Sequence, residues 1–144
     1  MKIARIALLV AIGAAATAAN ARAQTATVVV KDAWVRATEP SKMESAAYMT
    51  IENSGAEKRA VVGVTADQAK VAEMHNMTMD GKLMKMVQIP KIDVPAKGKA
   101  SLKPNAMHIM LMGLTTKLAV GDKVTGTLKL DDGTTVPFTA EVRK

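Results

Sequence analysis

Short apolar runs that alternate with polar positions fill the chain from residue 28 onward, and turn-forming residues separate them. Runs of this length, rich in Val, Ile and Thr, are typical of β-strands. Asp131-Asp132-Gly133 divides the last two runs and predicts a hairpin turn. A short loop or edge piece is expected between Pro90 and Pro95. The predicted strands are 28–35, 46–52, 58–65, 71–77, 83–89, 99–103, 107–112, 123–130 and 135–142.

Eight or nine short strands in one unit predict an all-β fold, either a sandwich or a small barrel. No linker, repeat or low-complexity tract interrupts residues 24–144, which are therefore expected to form a single domain. Helix is expected at most briefly, near residues 66–72. No later stretch of the chain is apolar enough for a transmembrane helix.

The first residues have the pattern of a targeting segment rather than of a fold. Lys2 and Arg5 give a basic start, residues 6–16 are apolar, and Ala21-Arg22-Ala23 is a small-x-small cleavage signal. This order predicts a secretory signal peptide over residues 1–23 and an exported protein. No Cys follows the apolar run, so no lipid anchor is expected.

Composition excludes some classes of function. The net charge of +7 falls to +4 once the three basic residues of the predicted signal are removed, and the remaining lysines are scattered. Trp34, Tyr48 and Phe138 are the only aromatic residues. Nucleic-acid binding needs a basic stripe or stacking platforms, and the sequence shows neither. Without Cys, the exported domain must be stabilised by packing alone.

The candidate chemistry lies in the distribution of His and Met. His75 and His108 are the only histidines, and eight of the 11 methionines fall within residues 74–112. Imidazole and thioether without thiolate form a soft ligand set that selects copper(I), whereas zinc prefers Cys, His and carboxylate. Methionine also fills irregular cores, so packing is the competing interpretation.

Strand geometry suggests how these side chains meet. If Asp80-Gly81 is the central pair of a two-residue hairpin turn, His75 and Met86 lie directly opposite each other. His108 and Met110 are two residues apart in a strand and share a face. If the two faces converge, these four side chains supply two nitrogens and two sulfurs to one metal.

The sequence leaves several roles open. Trp34 is expected in the core, with a π-face for a bound cation as the alternative. A blue-copper site needs a Cys thiolate, and no Gly-x-Ser-x-Gly motif indicates a hydrolase. The His and Met pattern is interpreted as the site of a metal carrier. The alternatives are a copper redox enzyme and a plain interaction domain. Packing or a place at the rim of the site is expected for Met77, Met79, Met84, Met107 and Met112.

Ten residues separate His75 from Met86, and 21 residues separate Met86 from the motif His108-x-Met110. This spacing resembles that of the periplasmic copper chaperone family PCuAC, once a domain of unknown function. The resemblance covers nearly all of residues 24–144. Some members carry Met directly after the first His, where this chain has Asn76, so Met74 or Met77 is expected to substitute if a further sulfur is needed. Other similar segments are 33–36, 47–53, 108–114 and 121–124.

The resemblance implies a cupredoxin-like Greek-key β-sandwich or barrel that binds one copper(I) through His75, Met86, His108 and Met110. It implies a monomeric, non-enzymatic metallochaperone that delivers copper towards the copper centres of cytochrome c oxidase. The implied partners are the oxidase copper-centre subunit and Sco-type thiol proteins, with no nucleic acid and no membrane span after signal cleavage. A periplasmic copper or silver scavenger that serves metal tolerance is the alternative function.

Overall fold

The computed structural model describes residues 27–144, and this part of the chain contains strands and turns but no helix. The predicted signal peptide lies outside the described residues. None of the described segments is a helix long and apolar enough to span a membrane. The strands are β1 Val28–Arg36, β2 Glu44–Asn53, β3 Arg59–Ala66, β4 Ala69–Asp80, β5 Leu83–Gln88, β6 Ile92–Val94, β7 Gly98–Leu102, β8 His108–Leu114, β9 Lys123–Leu130 and β10 Thr135–Arg143.

Alternation of apolar and polar residues explains why these segments are strands with one buried face. In β10 the side chains of Val136, Phe138, Ala140 and Val142 are buried, and every residue between them is exposed. Successive side chains in a strand point to opposite faces, so this pattern buries one face and leaves the other in water. The alternation in β9 matches it across the last hairpin, whose predicted position is confirmed.

The strands form one curled sheet in the order β5-β4-β8-β2-β1-β10-β9-β3-β6. The β1–β10 pair is parallel and the others are antiparallel, while β7 and β8 share one edge of β2. The inner face encloses a core that includes Val35, Ile51, Ile109, Leu128 and Val142, which have no exposed surface. The prediction of an all-β, sandwich-like or barrel-like domain is therefore confirmed.

The structure refines two local predictions. The segment between Pro90 and Pro95 is the short strand β6, which pairs with β3 and buries Ile92 and Val94. The segment considered for a brief helix is instead a tight turn at residues 67–68 between β3 and β4.

The predicted register of the β4–β5 hairpin is wrong. The central pair of the turn is Gly81-Lys82, so Met86 lies opposite Met77, and Gln88 takes the place opposite His75. Gly81 has a φ of +65° and occupies the first central position, where a type II′ turn takes glycine. Moving the turn by one residue changes each cross-strand partner by two positions, so every side chain keeps its face. His75 and Met86 are therefore diagonal neighbours on the same face.

Gly126 in β9 provides a test of the packing. A methyl group at this position would overlap the Thr65 carbonyl oxygen and the Phe138 ring, whereas at Gly63 it would meet only the Lys129 Cβ at 3.6 Å. We expect Gly126→Ala to lower the free energy of unfolding by about 1–3 kcal/mol, as overpacking does. Gly63→Ala should change it by less than about 0.5 kcal/mol. Equal effects in urea denaturation would contradict this account of the sheet.

Candidate metal centre

Two neighbouring strands place both histidines side by side. His75 of β4 and His108 of β8 are direct cross-strand partners, and their ring centroids are 5.8 Å apart. The next pair along the strands, Met74 and Ile109, points the other way into the core. The core pair therefore holds the register that brings the imidazoles together on the opposite face.

The His108 ring is buried and fixed by its surroundings. Its Nδ1 lies 3.0 Å from the Ala106 carbonyl oxygen, which can only accept, so Nδ1 carries the proton in the neutral ring. Nε2 is then the nitrogen with a free lone pair. On one side the Tyr48 ring lies 6.3 Å from the imidazole, and Trp34 packs on Tyr48 at 4.5 Å. This packing limits the rotation of His108.

Whereas the His108 ring is held through Nδ1, the His75 ring is held through Nε2. Its Nε2 donates to the Glu73 carboxylate at 2.9 Å, and its Nδ1 is buried without a hydrogen-bond partner. Among the described residues, no other buried side-chain nitrogen or oxygen lacks a partner. An unsatisfied buried acceptor costs about 1–3 kcal/mol, so it requires an explanation. A carboxylate that orients one nitrogen while the other stays free is the usual arrangement of a metal-binding imidazole.

Thioethers lie in the surface cleft beside these rings. The cleft has a volume of about 310 Å³, and its lining includes His108, Met110, Met86 and Met77. Met110 shares the outward face of β8 with His108, and Met86 reaches the cleft from the edge strand β5 with 44% of its surface exposed. The His108 imidazole and these thioethers therefore share one surface cleft. His75 is not among the residues that line it, but its ring lies next to that of His108.

The donor set is soft. The described residues contain no group of three or more His, Cys, Asp or Glu side chains that could hold a metal ion, which is what a zinc site would require. Charged residues on the lining, including Arg36 and Glu44, are of both signs. The Arg36 guanidinium lies 5.8 Å from the centre of the Tyr48 ring, within range of a cation–π contact. The soft donors that the cleft lining offers are imidazole and thioether.

The structure places the open candidates as follows. Met74 is 6% exposed and faces the core, so it cannot supply the further sulfur considered from the sequence. Met77 lies on the His75 face and lines the cleft. Trp34 was expected in the core but is only partly buried against Tyr48. Met107 packs against the core, as predicted.

Sequence reasoning missed the supporting roles of Glu73 and Tyr48. Glu73 is two residues before His75, so the alternation that grouped His108 with Met110 also places Glu73 beside His75. That signal was present in the sequence. The position of Tyr48 depends on the pairing of β2 with β1 and β8, which no local pattern reveals.

The hydrogen bonds of the two rings predict opposite neutral tautomers. At alkaline pH, we expect His75 to carry its proton on Nε2, because Glu73 accepts from it, and His108 to carry its proton on Nδ1, because Ala106 accepts from it. Imidazole ¹⁵N chemical shifts measure this directly. Finding the same tautomer for both rings would contradict the geometry of the site.

Known proteins share both the sequence and the fold. The LpqE-like family, described as "Putative lipoprotein LpqE-like", matches residues 28–142. "Putative lipoprotein Lxx21020" of Leifsonia xyli subsp. xyli is 33% identical over 117 residues, which are 81% of this chain and 69% of that protein. These matches cover most of the described region.

Two solved structures extend the comparison. Copper(I)-bound DR1885 from Deinococcus radiodurans is 37% identical and aligns with a TM-score of 0.68 over 88% of this chain and 85% of its own. The copper-bound PCuAC domain from PmoF2 is 19% identical, with a TM-score of 0.70 over 81% of this chain and 92% of its own, which shows a common fold. The chain therefore has the fold of PCuAC domains and belongs to the LpqE-like family.

Proposed function

We propose that this protein is an exported copper(I) metallochaperone whose ligands are His75, Met86, His108 and Met110. One observation carries the proposal: two adjacent imidazoles are each fixed through one nitrogen, and thioethers line the cleft beside them. The 37% identical DR1885 is described with copper(I) bound, which supports the same cargo here.

The donors suit a soft monovalent ion. His75 would bind through Nδ1, which has no other partner, and His108 through Nε2. The Glu73 carboxylate would hold the His75 ring and fix its tautomer. Two neutral thioethers complete the set and favour copper(I) over copper(II). A site that resists oxidation of its metal suits carriage rather than redox catalysis, so we infer no enzymatic reaction.

Release would follow from the position of Met86. This ligand comes from the exposed edge strand β5, whereas His108 is buried. A thiol or imidazole of an acceptor can therefore replace Met86 first and the less exposed ligands later. We propose transfer in the periplasm towards the copper-centre subunit of cytochrome c oxidase, beside Sco-type thiol proteins.

The ligand assignment predicts that replacing a proposed methionine ligand weakens copper(I) binding far more than replacing a neighbouring methionine. We expect Met110→Leu and Met86→Leu each to weaken copper(I) binding by at least about tenfold, because each removes a direct ligand and even the loss of an outer-shell partner costs about 10–100-fold. Met112→Leu is the matched control, because Met112 lies on the same face of β8, two residues beyond Met110. Leucine preserves most of the volume of methionine. Equal losses for all three variants in a competition titration would indicate a diffuse methionine surface.

The delivery role predicts how a deletion strain responds to copper. Oxidase activity should fall when external copper is scarce and recover when it is abundant, because mass action then loads the acceptor without a carrier. Oxidase activity and growth measured across a copper series test this. Normal oxidase loading at the lowest copper with marked toxicity at the highest would favour a copper or silver scavenger instead.

A further inference from the structure

Four methionines continue from the cleft along one face of the β4–β5 hairpin. Met77 pairs with Met86, and Met79 pairs with Met84 one step closer to the turn. All four share the face of His75, because positions two apart in a strand point the same way and paired residues share a face. The thioethers therefore form two adjacent rungs that lead from the cleft to the tip of the hairpin.

Core packing does not account for the outer rung. Met79 is 62% exposed and Met84 is 49% exposed, whereas the core residues Met49 and Met74 are 2% and 6% exposed. Gap filling in a core is the usual structural role of methionine, and it requires burial. Two exposed thioethers facing each other across a hairpin need another explanation.

The backbone brings the paired sulfurs within reach of one ion. The turn at Gly81-Lys82 makes Asp80 and Leu83 a hydrogen-bonded pair, so the pairs Met79–Met84 and Met77–Met86 are of the closer, non-hydrogen-bonded type. Cβ atoms in such pairs are about 4.5–5.5 Å apart. Metal–sulfur bonds are about 2.3 Å long, and methionine has three rotatable bonds, so opposite sulfurs can converge on a common ion.

Between His75 and the turn, this face of the hairpin has no carboxylate; Glu73, on the same face, lies beyond His75 and accepts a hydrogen bond from it. Asp80 and Lys85 occupy positions that point to the other face of the hairpin, and Gln88 is the nearest neutral oxygen donor on the methionine face, at the far end beside His75. Thioethers without carboxylates select soft monovalent ions. We propose that Met77, Met79 and Met84 form a second, all-thioether copper(I) site at the tip of the hairpin. This inference rests on the proposed function in one respect. Met86, the cross-strand partner of Met77, is taken as a ligand of the first site, so the second site consists of the other three methionines.

Copper(I) titration under anaerobic, reducing conditions tests the second site in the protein labelled with ¹³C at its methionine methyl groups. The first equivalent should shift the methyl signals of Met86 and Met110. The second equivalent should shift those of Met77, Met79 and Met84. Replacing the outer rung, Met79→Leu with Met84→Leu, should abolish the second response and preserve the first. The preserved first response also shows that the variant is folded.

Two further variants separate this proposal from the first site. Met43→Leu, which removes a 42% exposed methionine outside the hairpin, should leave both responses unchanged. His75→Ala with His108→Ala should abolish the first response and retain the second. The second site is refuted if the wild type shows no second response, if the outer-rung variant keeps it, or if the histidine variant loses it. Failure of the first response in the wild type would instead refute the proposed function.

Discussion

The register between β4 and β8 is the constraint on which the candidate site depends. Met74 and Ile109 form a buried pair on the inner face, and the next pair on the outer face is His75 with His108. A slip of one residue in either strand would move a core side chain into solvent and a histidine into the core. Burial of apolar surface therefore fixes the two imidazole rings next to each other.

The two sides of the histidine pair differ in packing and in exposure to solvent. His108 belongs to the packed body of the sheet, where Tyr48 and the Ala106 carbonyl oxygen hold its ring. Met86 belongs to the edge strand, where apolar side chains are exposed. An exposed apolar edge is normally a hazard, because it invites association with other chains. Under the proposed function, Met86 must be accessible to an acceptor, which gives a physical reason to keep this edge exposed.

The sequence predicted the sheet well because the signal is local. In β10, Val136, Phe138 and Ala140 alternate with exposed residues, so the strand and its buried face can be read directly. The hairpin partner of His75 was predicted wrongly because Asp80-Gly81 and Gly81-Lys82 are both plausible turn centres, and only the fold decides between them. The grouping of Met86 with His75 on one face survived this error, since the shift changes the partner by two positions.

Other parts of the site depend on contacts that no local pattern contains. The pairing of His75 with His108 spans strands that are distant in sequence, and the spacing suggested it only through a family resemblance. Tyr48 and Trp34 pack beside His108 only when β1, β2 and β8 are paired. Glu73 is different, because the two-residue alternation already places it beside His75.

X-ray absorption of the protein loaded with one equivalent of copper(I) tests the central claim most directly. If the imidazole pair and the two thioethers bind the same ion, the spectrum should require two nitrogen and two sulfur neighbours, with the multiple-scattering features of two histidine rings. A sphere of sulfur alone, or one with a single imidazole, would contradict the account, because the register of β4 and β8 would then have no part in holding the metal.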